Sequence, residues 1–120
     1  MEWSVGFSSL EGKVFSKVYK EGESIIFENE DERYELYHDQ DCCEDVRIED
    51  VCGDLHNLEN AEITFAQETS SEGETGWGTC TWTFYKLATE KGWVDIRFYG
   101  ESNGYYSESA NLHRYEKGDW

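Results

Sequence analysis

The side chains best suited to metal or nucleophilic chemistry crowd into one stretch: His38, Cys42, Cys43 and Cys52. Zinc takes four Cys or His ligands at ~2.0–2.3 Å, and His-x3-Cys-Cys-x8-Cys contains those ligand types. The spacing fits zinc poorly. Adjacent cysteines on a strand point to opposite sides, and no Cys-x2-Cys knuckle accompanies them. The competing reading makes Cys43 and Cys52 small buried hydrophobes, with His38 at the end of a strand. Asp39, Asp41, Asp45 and Asp50 fall at positions 1, 3, 7 and 12 of an EF-hand-like frame. Position 5 is Cys43 and position 6 is Glu44, where that loop needs an oxygen ligand and a glycine. A thiol nucleophile based on Cys42 or Cys43 with His38 or His56 is poorly placed, because the surrounding carboxylates raise its pKa. The chain has no Gly-x-Ser-x-Gly elbow, P-loop or dinucleotide fingerprint. We therefore expect no enzyme, no metal and no cofactor.

The carboxylates carry more information through their number and placement. Of 27 acids, nineteen lie in residues 21–74, where the only bases are Arg33 and Arg47. That segment has a net charge of −17, equal to the net charge of the whole chain. A field of this sign repels nucleic acid and anionic membranes, which excludes direct DNA or RNA binding. Disorder is excluded by five Trp, eight Tyr and six Phe in 120 residues, enough large apolar side chains for a packed core. The length suits a single domain over residues 1–120. There is no apolar run of ~20 residues and no secretory leader at Met1-Glu2-Trp3-Ser4, so a cytoplasmic location is expected. In that reducing compartment all four cysteines should be free thiols.

The elements that must position these residues read as mainly β (α+β): an antiparallel sheet of six to seven strands with one or two short helices. Gly12–Tyr19 reads as a strand with Val14 and Val18 on one face. Ser24–Glu28 and Arg33–His38 complete a meander around the polar connection Asn29-Glu30-Asp31-Glu32. Val46 and Ile48 suit a short strand. Val51, Leu55 and Leu58 fall at helical spacing. Residues 67–79 are polar and Gly-rich and read as a mobile loop. Thr81–Tyr85 and the alternation Val94, Ile96, Phe98 predict a central hairpin turning at Glu90-Lys91-Gly92, with Trp82 and Phe84 sheet-facing. Asn103-Gly104 signals a further hairpin.

Four runs carry a resemblance. They are Tyr37-His38-Asp39-Gln40-Asp41-Cys42-Cys43-Glu44-Asp45-Val46, Ile48-Glu49-Asp50-Val51-Cys52-Gly53-Asp54-Leu55, Thr81-Trp82-Thr83-Phe84-Tyr85-Lys86-Leu87-Ala88-Thr89, and Tyr99-Gly100-Glu101-Ser102-Asn103-Gly104-Tyr105-Tyr106-Ser107-Glu108. Together they resemble a family of small phage and prophage proteins of unassigned function. The segment Glu59-Asn60 departs from that pattern, where an apolar-Gly turn is usual. The resemblance implies a viral origin and the cytoplasm of a host cell, and it supplies no catalytic residues.

Two functions from different classes follow. The first is an anti-defence inhibitor acting as a DNA mimic. Duplex DNA carries one charge per ~1.7 Å of axis, so seventeen net charges match roughly 29 Å of duplex. The partner would be a host protein with a basic nucleic-acid-binding surface. The contact residues would be Glu28, Glu30, Asp31, Glu32, Glu35, Asp39, Asp41, Glu44, Asp45, Glu49 and Asp50. The second is capture of a small nucleotide-type ligand in an aromatic pocket, for which Lys86, Lys91, Arg97 and Arg114 are the available cations. An alternative site is the aromatic hairpin Tyr99, Asn103, Tyr105 and Tyr106. A structural role in the virion is a third possibility.

Overall fold

The computed structural model describes residues 2–38, 44–76, 78–102 and 110–116. Cys42, Cys43, Asp39, Asp41, Asn103, Tyr105 and Tyr106 lie outside them. The fold is mainly β. The described residues form nine strands: β1 (Glu2–Val5), β2 (Lys17–Glu21), β3 (Ser24–Glu28), β4 (Glu32–Tyr37), β5 (Glu44–Cys52), β6 (Phe65–Glu74), β7 (Thr79–Thr89), β8 (Gly92–Ser102) and β9 (Asn111–Glu116). The expected short helices are two single 3-10 turns, Phe7–Leu10 and Leu55–Leu58. No described helix is long and apolar enough to cross a membrane.

All strand pairs are antiparallel and build two sheets, ordered β1-β9-β4-β3-β2 and β5-β8-β7-β6. The expected meander is β2-β3-β4. Gly22 turns β2 into β3 with φ +61°, backbone that a side chain disfavours. Period-two alternation fixes what each strand buries. In β4, Glu32, Tyr34 and Leu36 are buried; in β8, Val94, Ile96, Phe98, Gly100 and Ser102 are. The inner faces of both sheets meet in one apolar cluster, with Phe27 and Leu36 from the first and Tyr85, Ile96 and Phe98 from the second. Phe7 and Phe15 join them from the N-terminal segment. Their rings sit 4.8 Å from Tyr85 and 5.6 Å from both Phe27 and Tyr34.

Four expectations are corrected. Val14 is exposed while Phe15 and Val18 are buried, because the 12–19 segment carries only isolated bridges at Val14 and Phe15 before β2 begins. Residues 67–74 are no loop: β6 pairs with β7 from Phe65↔Ala88 to Glu74↔Thr79. Their Ser, Thr and Glu side chains are exposed because β6 is an edge strand. Val51 starts no helix. A bulge at Glu49 shifts the β5–β8 register between Ile48 and Asp50, so Val46, Ile48 and Val51 all turn inward despite the three-residue step. Trp82 and Phe84 lie on the outer face of β7. The strand's parity is set by Thr83, Tyr85 and Leu87, each fully buried on the inner face. The Tyr85 hydroxyl donates to the Ala110 carbonyl at 3.1 Å.

One buried carboxylate ties the chain's distant parts together. Arg114 Nε and Nη2 donate to Glu32 Oε2 at 2.8 and 2.7 Å, and Lys13 Nζ reaches Oε1 at 2.9 Å. Burial alone would raise the Glu32 pKa, but the hydrogen bonds from Lys13 and Arg114 outweigh it and hold the carboxyl below its usual range. A folded-state pKa below the unfolded one contributes stability above the unfolded value. That stability is lost as pH falls through the folded value. Glu32→Gln should therefore destabilise the protein at neutral pH by about 2–3 kcal/mol, a range for charge-assisted bonds reduced by the partial exposure of Lys13. Acid titration of urea midpoints should show the wild-type advantage shrinking as the carboxyl protonates. Phe98→Ala should cost ~3–5 kcal/mol through the cavity it leaves, read in the same urea titrations.

Candidate functional site

The outer face of the four-stranded sheet is built by the residues that alternate with the core. On β8 these are Trp93, Asp95, Arg97, Tyr99 and Glu101. Their partners on β7 are Ala88, Lys86, Phe84, Trp82 and Cys80. Phe65, Gln67, Thr69 and Ser71 extend the face onto β6, and Asp45, Arg47, Asp50 and Cys52 onto β5. A groove of about 440 Å³ crosses its centre, lined by Phe84, Lys86, Arg97, Asp50, Asp95 and Thr69 together with Cys52 and Gln67.

An aromatic pair stands at each end. Trp82 packs on Tyr99 with ring centroids 5.3 Å apart, and Arg47 stacks over Tyr99 at 5.0 Å. Phe65 packs on Trp93 at 5.4 Å, with Lys86 Nζ 5.9 Å from the Trp93 ring. Between them the cations are matched by acids. Arg97 Nε lies 2.7 Å from Glu49 Oε1, and its Nη2 lies 3.9 Å from Asp50. Lys86 lies 3.9 Å from Asp95, and Arg47 2.9 Å from Asp45. The β5 bulge makes the Arg97 cluster possible, since it brings two consecutive carboxylates to one guanidinium. The bulge's own Ile48 N–H donates to Glu23 Oε2 at 2.6 Å, linking the β2–β3 turn to β5. Gly53 ends β5 at φ +100°, where a Cβ would lie 2.6 Å from the Trp93 carbonyl.

Desolvation, with the hydrogen bond to Glu101, pushes the Tyr99 phenol up to about 12. It stays neutral and donates to Glu101 Oε2 at 3.0 Å. Cys52 is exposed, contrary to its reading as a buried hydrophobe, because the bulge turns Val51 inward and Cys52 out. Its thiol donates to Asp50 at 3.2 Å, which raises its pKa. Cys52 and Cys80 are free thiols. Among the described residues no group of three or more His, Cys, Asp or Glu is arranged to hold a metal ion.

The acidic residues singled out in the sequence do not share one face. Glu28 and Glu35 lie on the outer face of the five-stranded sheet. Glu28 accepts from Tyr19 and lies 3.9 Å from Arg33; Glu35 accepts from Tyr115. Asp45, Glu49 and Asp50 lie on the opposite sheet. Glu30 and Asp31 are exposed in the β3–β4 turn, where the Asn29 side chain accepts from the Asp31 and Glu32 amides. Glu32 is removed from the surface by its ion pairs. Glu44 opens β5. Of the four cations considered for an anionic ligand, Lys86 and Arg97 enter the groove. Lys91 donates to the Glu59 carbonyl and Arg114 is held by Glu32. Of the aromatic hairpin, Tyr99 is the one member among the described residues, and its neighbours on the face are Trp82 and Arg47.

The sequence reading missed Phe65, Gln67, Thr69, Phe84 and Trp93 as site residues. A signal was present in β8, where Trp93 and Tyr99 share the outward parity of Asp95 and Arg97. Aromatic residues facing out of a strand with a full inner face mark a surface that does more than dissolve.

Residues 8–112 match the model of a family described as a domain of unknown function, DUF7448. No curated protein and no solved structure matches the chain.

The Asp50–Cys52 contact predicts slow thiol chemistry. Asp50→Asn should speed alkylation of Cys52 several-fold at about pH 7.5, because the carboxylate that most raises the thiol pKa would be gone, leaving the weaker influence of Asp95. Peptide mass mapping after timed labelling reads this. Cys80, buried, should label only on unfolding.

Proposed function

The chain belongs to the DUF7448 family, whose description assigns no activity, and from that premise we propose that it is an acidic binding protein that inhibits a basic protein of its host. It is phage-encoded in this reading, in line with the sequence resemblance, and it acts in the host cytoplasm as a binder and not as an enzyme. The target class is a nucleic-acid-binding or defence protein, whose basic groove the carboxylates occupy in place of phosphates.

One observation carries the proposal: nineteen acids against two bases between residues 21 and 74. The structure changes how such mimicry would work. The acids lie on both outer faces and on the turns, including exposed Glu30, Asp31, Asp54, Glu62 and Glu72. They form an anionic envelope and not a flat replica of one duplex face. An envelope attracts as a field, raising the association rate with a basic partner, and depends little on any single carboxylate.

A second reading, capture of a small nucleotide-type ligand, is favoured by a different observation. Phe84, Lys86 and Arg97 line one groove, which offers a stacking surface beside two cations, at a volume within the usual range for small-molecule sites. Those cations already face Asp95, Glu49 and Asp50, so a phosphate would have to displace carboxylates.

A competition assay with a basic host nucleic-acid-binding protein tests the first reading. Binding should weaken as salt rises and should compete with the target's own DNA or RNA, since exposed charges are screened over ~10 Å at 0.1 M. Reversing Glu30, Asp31 and Glu72 together should weaken binding more than any single reversal, with stability changed by under ~0.5 kcal/mol per site. A complex indifferent to salt and to the triple reversal would defeat this proposal.

A further inference from the structure

Trp82, Tyr99, Phe65, Trp93 and the ion-paired groove between them form a broad surface whose aromatic rings and cations the envelope reading does not use. We infer that the outer face of the β5-β8-β7-β6 sheet joins two copies of this chain.

On a molecule of net −17, most surfaces repel a second copy. This face sets cations among its acids. Its cations Arg47, Lys86 and Arg97 each lie beside acids of the same face, Asp45, Asp95, Glu49 and Asp50. With Glu101 the face holds three cations against five acids, and a face of mixed sign can be self-complementary: a guanidinium of one copy can meet a carboxylate of the other under a two-fold axis.

Tryptophan, tyrosine and arginine dominate the energetic centres of interfaces, and this face holds two Trp, one Tyr and two Arg. Trp93 is 57% exposed, a large apolar side chain left in water by the isolated fold. Four strands of 9 to 11 residues at ~4.8 Å spacing and ~3.3 Å per residue give a footprint of roughly 500 Å². Side-chain relief brings the accessible surface toward the ~800 Å² per partner of a stable complex. A small ligand in the central groove would leave both aromatic pairs uncovered.

The inference does not rest on the proposed inhibition, and its salt dependence has the opposite sign. Two like-charged bodies meeting through a mixed-sign aromatic face repel at long range, so screening should tighten their association. Attraction to a basic partner should loosen under the same change. Pairing through this face would leave the acids of the five-stranded sheet and the β3–β4 turn outward on both copies.

Sedimentation equilibrium of the full chain over a dilution series, at low and high sodium chloride, tests this. The expected result is a monomer–dimer equilibrium that tightens with salt. Trp82→Ser and Trp93→Ser should each weaken it about tenfold or more, with circular dichroism and melting unchanged in form. A monomer at every concentration and salt overturns the inference. A dimer that survives both tryptophan variants also overturns it and assigns the contact elsewhere, with the long β6 edge the next surface to test. A monomer whose tryptophan fluorescence is quenched by a nucleoside phosphate gives the groove to a small ligand instead.

Discussion

The Glu32 carboxylate is the interaction on which the first sheet depends. It draws Lys13 from the N-terminal segment and Arg114 from the last strand onto one strand end. β9 sits between β1 and β4, so the sheet is complete only when the chain's C-terminal part returns across nearly its whole length. Closing such a contact costs conformational entropy before any contact forms. Leu112, paired with Leu36, supplies the apolar part of the return. Arg114 supplies the directional part: a fork-shaped guanidinium fits one carboxylate in one register, and a slip by one residue would turn it to solvent.

A chain with this much negative charge folds because its aromatic residues are large and central. Tyr85, Phe15, Phe27 and Phe98 are among its largest fully buried side chains, and each brings far more apolar area than an aliphatic residue. The acids are kept from the core by strand parity, with Glu32 the buried exception among the described residues. Several accept hydrogen bonds on the surface from tyrosine hydroxyls, and others pair with cations. Glu28, Glu35 and Glu101 all accept from Tyr19, Tyr115 and Tyr99 respectively. A phenol can satisfy a carboxylate without cancelling its charge, so the electrostatic field survives while the hydrogen-bonding requirement is met.

The two sheets divide the molecule's work. The five-stranded sheet is anchored by ion pairs at its rim. The four-stranded sheet turns aromatic residues both ways: Tyr85 and Phe98 into the core, Trp82, Phe84, Trp93 and Tyr99 outward. The outward set gains partial shelter from ring stacking and from cations lying over the rings, which leaves it ordered and accessible. Those are the properties of a contact surface.

Much of this was legible in the sequence. The β class, the β2-β3-β4 meander, the inward set Val94, Ile96 and Phe98, and the turn at Glu90-Lys91-Gly92 all follow from period-two alternation and turn chemistry, which are local. The concentration of charge in residues 21–74 is likewise a property of the sequence. What the sequence could not decide were matters of parity and partner. Thr81-Trp82-Thr83-Phe84-Tyr85 alternates polar and aromatic residues, yet the aromatic positions Trp82 and Phe84 face out, because the buried run Thr83, Tyr85, Leu87 fixes the parity from further along the strand. One inserted residue at Glu49 made Val51 look helical and sent Glu49 and Asp50 to Arg97, a cation 48 and 47 positions away in the chain. Glu32 read as one exposed acid among many until Lys13 and Arg114 closed on it. In each case the deciding contact lies far away in sequence, and only folding brings it within reach.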